Sequence, residues 1–206
     1  MPSSTSVTLP SARGPISCAY HPVEGATAAV AMVGGGDGGL DGPAKAIYPT
    51  LAEDFAAQGV ATLRVDFRIH KFPGDVAEGV HDLLEGVRYL LTQGIERIGV
   101  LGHSFGGAVV IEAAAQEPRI ASVVTLATQT AGAERVASVA PRPLLLVHGL
   151  DDDRLKPDLS RQLYRLAGDP RRLELLEGAT HSLRQRREDV RVLVRDWFLE
   201  TLGPLA

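Results

Sequence analysis

A chain of 206 residues with 45% hydrophobic and 22% charged residues has an ordinary soluble composition, which excludes a disordered, collagenous or fibrous protein. At this length one domain, residues 1–206, is expected to bury roughly 70% of its unfolded surface without a disulfide or metal staple. Twenty-one Lys and Arg against 25 Asp and Glu leave a net charge of −4, the wrong sign for gripping nucleic acid through its phosphates.

From the N-terminus, Met1 to Ser6 lacks the basic and apolar regions of a leader, and no apolar run reaches the ~18 residues that span a bilayer. A cytoplasmic protein with no membrane partner is expected. Short apolar runs then alternate with stretches of helical spacing, as in βαβ units around a mostly parallel sheet. Two strands, Val7 to Pro10 and Ile16 to Tyr20, leave no room for a helix between them and are expected to form an antiparallel hairpin with a third, Ala28 to Val33. Five more strands follow at Ala61 to Asp66, Arg97 to Leu101, Ala121 to Ala127, Leu144 to His148 and Leu173 to Leu176. Helices are read at Pro43 to Gln58, Val76 to Gln93, Gly106 to Gln116, Pro157 to Ala167 and Arg184 to Leu202. Gly59, Gly94 and Pro118 stand where helix ends require them. Cys18, the single cysteine, reads as a buried thiol. The arginines at 184, 186 and 187 read as a solvated helix face, since Glu188 and Asp189 follow at once.

Gly102-His103-Ser104-Phe105-Gly106-Gly107 joins a buried strand directly to a helix with a serine at the corner. A serine on so sharp a turn needs neighbours two residues either side that lack a Cβ. The turn also brings the Phe105 N–H to a helix N-terminus, where negative charge is favoured. A serine nucleophile needs an imidazole, and the imidazole needs a carboxylate to fix its tautomer. Of six histidines, His21 and His103 read as structural, His70 and His81 lie in a loop and a helix start, and His148 reads as packing at its strand end. His181 remains: it follows the last strand through Gly178-Ala179-Thr180, at the C-terminal sheet edge where α/β sites gather. Asp151, Asp152 and Asp153 close the seventh strand, and spacing alone does not choose among them.

With these motifs the chain resembles the α/β-hydrolase superfamily over nearly its whole length, and is most similar to small bacterial members without a cap domain, related to dienelactone hydrolases and carboxylesterases. The resemblance implies a three-layer fold, an eight-stranded mostly parallel sheet with helices on both faces. It also implies that the acid, two residues beyond the His-Gly of strand seven, is Asp152, with Asp151 the second choice. Gly35 would then supply the second oxyanion N–H, with Gly34 the alternative. Two departures stand out: Val33-Gly34-Gly35-Gly36-Asp37 replaces the His-Gly of many relatives' oxyanion loops, and dienelactone hydrolases proper have cysteine where Ser104 lies. The implied activity is hydrolysis of a small-molecule ester or thioester by Ser104, His181 and Asp152, with Phe105 and Gly35 holding the oxyanion and no cofactor or metal.

Competing readings are a noncatalytic member of the fold, a same-fold peptidase or acyltransferase, and a dinucleotide-binding domain. The last rests on Gly34, Gly36 and Gly39 with Asp66 as a ribose-binding acid; Asp41-Gly42-Pro43 delays the helix past those glycines. Arg68, His70 and Lys71, in the loop from Phe67 to Asp75, suggest a preference for anionic esters. Oligomeric state is not readable from the sequence.

Overall fold

A computed structural model describes residues 4–71 and 74–203. Eight strands form one sheet: β1 (Thr5–Leu9), β2 (Ile16–His21), β3 (Ala28–Val33), β4 (Ala61–Val65), β5 (Arg97–His103), β6 (Ile120–Leu126), β7 (Leu144–Gly149) and β8 (Arg171–Leu176). Their spatial order is β1-β2-β4-β3-β5-β6-β7-β8. All neighbours from β4 to β8 run parallel, and β1 and β2 are antiparallel. The hairpin of β1 and β2 forms as expected, but β2 pairs with β4 rather than β3. The helical crossover from β3 lays β4 on one side of it, and β5 occupies the other. Neither edge of β3 is left for β2, which takes the outer edge of β4.

The central strands are continuous apolar runs because both faces are covered. The helices are α1 (Pro43–Ala56), α2 (Val76–Thr92), α3 (Phe105–Gln116), α4 (Asp158–Leu166) and α5 (Arg187–Thr201). On one face α2 and α3 bury Leu83, Val87, Val109 and Val110 against Leu63, Val65 and Val100. On the other, α1 and α5 bury Leu51, Phe55, Val194 and Phe198 against Val30, Met32, Leu101 and Val124. Phe55 and Phe198 meet edge to face at 5.9 Å between ring centres, a favoured aromatic geometry.

Of the boundaries that depart from the sequence reading, three have local reasons. Ala44, Lys45 and Ala46 have left-handed backbone angles, so the right-handed part of α1 covers 47–56. Pro49 then falls in its first turn, where its missing N–H removes no helical bond. Ahead of α5, Leu183 is left-handed and Arg184–Arg186 form a short 3₁₀ turn instead of the first helical residues. β5 continues two residues past Leu101 and delivers Ser104 directly into α3. Between β6 and β7 only the 3₁₀ turn Val136–Val139 is helical, so no cap stands over the sheet's C-terminal edge among the described residues.

Cys18 is buried, and burial, reinforced by the charges of Asp66 and Asp82, pushes its thiol up to about 12. No helix among the described residues is long and apolar enough to cross a membrane.

Candidate active site

The corner between β5 and α3 is set by sterics. Ser104 has φ 55° and ψ −115°, the sharp turn that exposes its side chain. A Cβ on Gly102 would stand 2.0 Å from the Gly106 carbonyl oxygen, and one on Gly106 would stand 2.2 Å from the Gly34 carbonyl oxygen. No side chain fits either place, so both glycines are obligatory for this corner and for the close approach of the 34–39 loop. Ser104 N–H donates to Leu126 O at 2.8 Å, tying the corner to β6.

Ser104 Oγ lies 3.1 Å from His181 Nε2, and His181 Nδ1 lies 2.7 Å from Asp152 Oδ2. The sequence separates these three residues by 48 and 29 positions, and the three strand ends β5, β7 and β8 bring them to one edge. The loop carrying His181 is seated on β7: Asp151 N–H donates to Ala179 O at 3.0 Å, and a Cβ on Gly149 would stand 2.2 Å from that same oxygen. Asp152 is the buried member of the three acids, whereas Asp151 and Asp153 are exposed. Burial opposes its charge, but N–H bonds from Leu155 and Arg154 to Oδ1, both 2.9 Å, and the bond from His181 hold its carboxyl below the usual range. The side chain is therefore a carboxylate at neutral pH, able to fix the His181 tautomer with Nε2 facing the serine.

Above Ser104 is a cavity of about 310 Å³ lined by Gly35, Gly36, Phe105, Gln129, Arg154 and His181, among others. Gly35 reaches the cavity lining and Gly34 does not; the Gly34 carbonyl instead faces Gly106. Phe105 opens α3, so its N–H has no partner within the helix. Two anchors hold the glycine loop. Tyr48 OH donates to Val33 O at 2.8 Å just before the loop, and Asp66 Oδ1 accepts from Gly39 N–H at 2.6 Å near its end.

That second anchor corrects the dinucleotide reading: Asp66 is engaged by Gly39 and by His70 Nε2 at 2.8 Å, and α1 begins beyond the glycines. The anionic-ester reading of the 67–75 loop gains no support from its cations: none of Arg68, His70 and Lys71 lines the cavity, Arg68 turns to Asp82 (2.5 Å) and Glu78 (2.5 Å), and His70 is held by Asp66. Phe72 and Pro73 of that loop lie outside the described residues. The cationic side chain at the cavity is Arg154, which forms no ion pair among the described residues.

Two histidines read as bystanders are part of the site. His103 turns toward His181: its Nε2–H donates to His181 O at 3.1 Å, and the two rings stand 5.0 Å apart. Burial pulls it from the ordinary 6.5 to about 4, with His181 and Arg154 adding to the fall, so it is a neutral donor. His148, at the end of β7, is fully buried and lies 3.2 Å from Asp152 Oδ2. Its signal in the sequence was a polar residue closing an otherwise aliphatic run, Leu144 to Val147.

A mostly parallel eight-stranded sheet sandwiched between helices, with a serine corner after its fifth strand, is an α/β-hydrolase fold. The dienelactone hydrolase family matches residues 49–195, and the chain belongs to that family. It is 31% identical to the Escherichia coli K12 protein YfhR across 53% of this chain, and spans about half of that relative's length (48%). The structure is similar to a dienelactone hydrolase from Anabaena variabilis, with TM-score 0.84, 21% identity, and coverage of 98% of this chain and 99% of that one. It is also similar to Est1E from Butyrivibrio proteoclasticus, with TM-score 0.81, 18% identity, and coverage of 96% and 98%. A Xanthomonas campestris α/β serine hydrolase without a lid matches at TM-score 0.78 and 17% identity, covering 99% of this chain and 97% of that one.

Proposed function

We propose that the protein is a serine hydrolase that cleaves a small-molecule carboxylic ester or thioester through an acyl-enzyme. The observation that carries this reading is the unbroken set of hydrogen bonds from Ser104 Oγ through His181 to Asp152 at the floor of an open cavity. His181 Nε2 takes the hydroxyl proton as Ser104 attacks the carbonyl carbon, and Asp152 stabilises the imidazolium that results. The N–H groups of Phe105 and Gly35 receive the oxyanion, which forms at a helix N-terminus already poised for negative charge. His181 then gives its proton to the leaving alcohol or thiol. Water, deprotonated by the same nitrogen, attacks the acyl-enzyme and releases the acid. A cavity of about 310 Å³ sits at the small end of the usual ~300–1,000 Å³ range of ligand sites, which favours short acyl groups. The family membership and the similarity to a lidless serine hydrolase support the same reading.

Ser104→Ala should abolish turnover of a p-nitrophenyl ester and labelling by a fluorophosphonate while leaving the melting temperature close to that of the parent. An unchanged rate in this variant would refute the mechanism. If the intact protein takes up no fluorophosphonate, the fold serves a noncatalytic role instead.

A further inference from the structure

We propose that His148, backed by Ser160 on α4, is a positioning residue that orients the Asp152 carboxylate toward His181 and tempers its charge. The inference rests on the reading of Ser104, His181 and Asp152 as nucleophile, base and acid, and extends it one layer inward.

The hydrogen bonds fix the protonation state of the His148 ring. Its Nε2 lies 2.8 Å from Leu155 O, and a carbonyl oxygen only accepts, so Nε2 carries the proton. The same N–H is shared with Asp152 Oδ2 at 3.2 Å. Nδ1 must then be the bare nitrogen, and the Ser160 hydroxyl, 2.6 Å away, donates to it. The whole run is Ser160 O–H to His148 Nδ1, His148 N–H to Asp152 Oδ2, and His181 N–H to the same Oδ2, ending at Ser104. His148 and Ser160 are both fully buried. Burial lowers the affinity of His148 for a proton, so its ring meets the carboxylate as a neutral donor.

Two consequences follow for Asp152. Its four hydrogen bonds, two on Oδ1 from Arg154 and Leu155 N–H and two on Oδ2 from the histidines, leave the carboxylate no freedom to rotate. In addition, His148 competes with His181 for one oxygen. A carboxylate with an extra donor on that oxygen attracts the imidazolium less strongly, which lowers the tendency of His181 to hold the proton it must later release. A purely structural histidine at the end of β7 would satisfy Leu155 and Ser160 and have no claim on the oxygen that faces His181.

The groups around the His181–Asp152 pair are His103 from the end of β5, His148 from the end of β7, Ser160 from α4 and the permanent charge of Arg154. The pair's titration therefore reports on His148 when the others are unchanged. Three proteins suffice: the parent, His148→Gln, whose amide N–H can reach the position of Nε2–H, and the double variant His148→Leu with Ser160→Ala. The double variant removes both buried polar partners together and avoids an orphaned hydroxyl.

With p-nitrophenyl acetate across pH, the double variant should retain KM within about twofold and lose about tenfold in kcat, the ~1.4 kcal/mol weight of one hydrogen bond. The acid limb of its kcat/KM profile should move to higher pH, and His148→Gln should recover most of both losses. The downfield imidazole proton of the His181–Asp152 bond, followed by NMR, should also shift in the double variant and return in His148→Gln. Melting temperature and fluorophosphonate labelling of Ser104 are measured in all three. Persistent labelling with unchanged kcat, acid limb and proton resonance in the double variant would overturn the role of His148. A His148→Gln protein as impaired as the double variant would overturn it equally. If the parent itself is neither labelled nor active, the serine-hydrolase reading fails, and the proton resonance alone decides whether His148 orients Asp152.

Discussion

Replacing His103 with glutamine should flatten the acid side of the protein's stability curve. In the folded chain the His103 ring is pulled from 6.5 to about 4, chiefly by burial. Between those two pH values the unfolded chain binds a proton that the folded chain does not. Stability from this group is therefore complete above pH ~6.5, declines as the pH falls toward about 4, and declines no further once both states are protonated. The gap between 6.5 and about 4 corresponds to about 3 kcal/mol at ~1.36 kcal/mol per pH unit, of which about 2.5 kcal/mol is lost by pH ~4.5. Glutamine does not titrate, and its amide can still donate to the His181 carbonyl that His103 now serves at 3.1 Å. Urea unfolding of parent and His103→Gln at about pH 7.5 and about pH 4.5 measures the effect. The parent should lose 2 to 3 kcal/mol more than the variant between the two, on the order set by that linkage. The effects of Asp152, His181 and Arg154 on the His103 proton exist only in the parent and are part of the measured difference. Equal losses in the two proteins would show that His103 is not held neutral by its surroundings.

The two glycine segments of the site should respond differently to alanine. At Gly106 a Cβ would meet the Gly34 carbonyl at 2.2 Å, so Gly106→Ala should lower both melting temperature and turnover; at Gly35 the nearest atom is His103 Nδ1 at 3.4 Å, so Gly35→Ala should lower turnover with little change in melting. Parallel behaviour of the two variants in melting and steady-state assays would contradict this steric reasoning. Asp82→Ala should cost about 2 kcal/mol in urea unfolding, because it removes the buried carboxylate that accepts from both the Arg68 backbone N–H and its Nε; a loss under ~1 kcal/mol would mean that Glu78 and the Arg13 carbonyl suffice.

The parts of the site legible in the sequence are those imposed by exclusion. Gly102 and Gly106 had to be glycine because a Cβ at either position collides with backbone, and that requirement marks Ser104 whatever surrounds it. His181, the proposed base, could be reached too, since it lies in the loop after the last strand, whereas His103 and His148 belong to strands β5 and β7 themselves. Sharing is harder to read. Asp152 differs from Asp151 and Asp153 only because the turn after β7 buries it under the Arg154 and Leu155 N–H groups, a property of backbone geometry that three identical side chains do not disclose. His148 was hidden for the same reason: its role depends on Leu155 O, Ser160 and Asp152 converging on one ring, at separations of 7, 12 and 4 residues. The pairing of β2 with β4 is a third instance, because the hairpin could only be placed once the crossover from β3 had fixed which edge remained open. Asp66 joins them, since only the fold shows its carboxylate reaching back 27 residues to Gly39 and steadying the loop that carries Gly35. Residues that must lack something can be found one at a time, whereas residues that share an acceptor or an edge are defined by neighbours that only the folded turns and crossovers bring together.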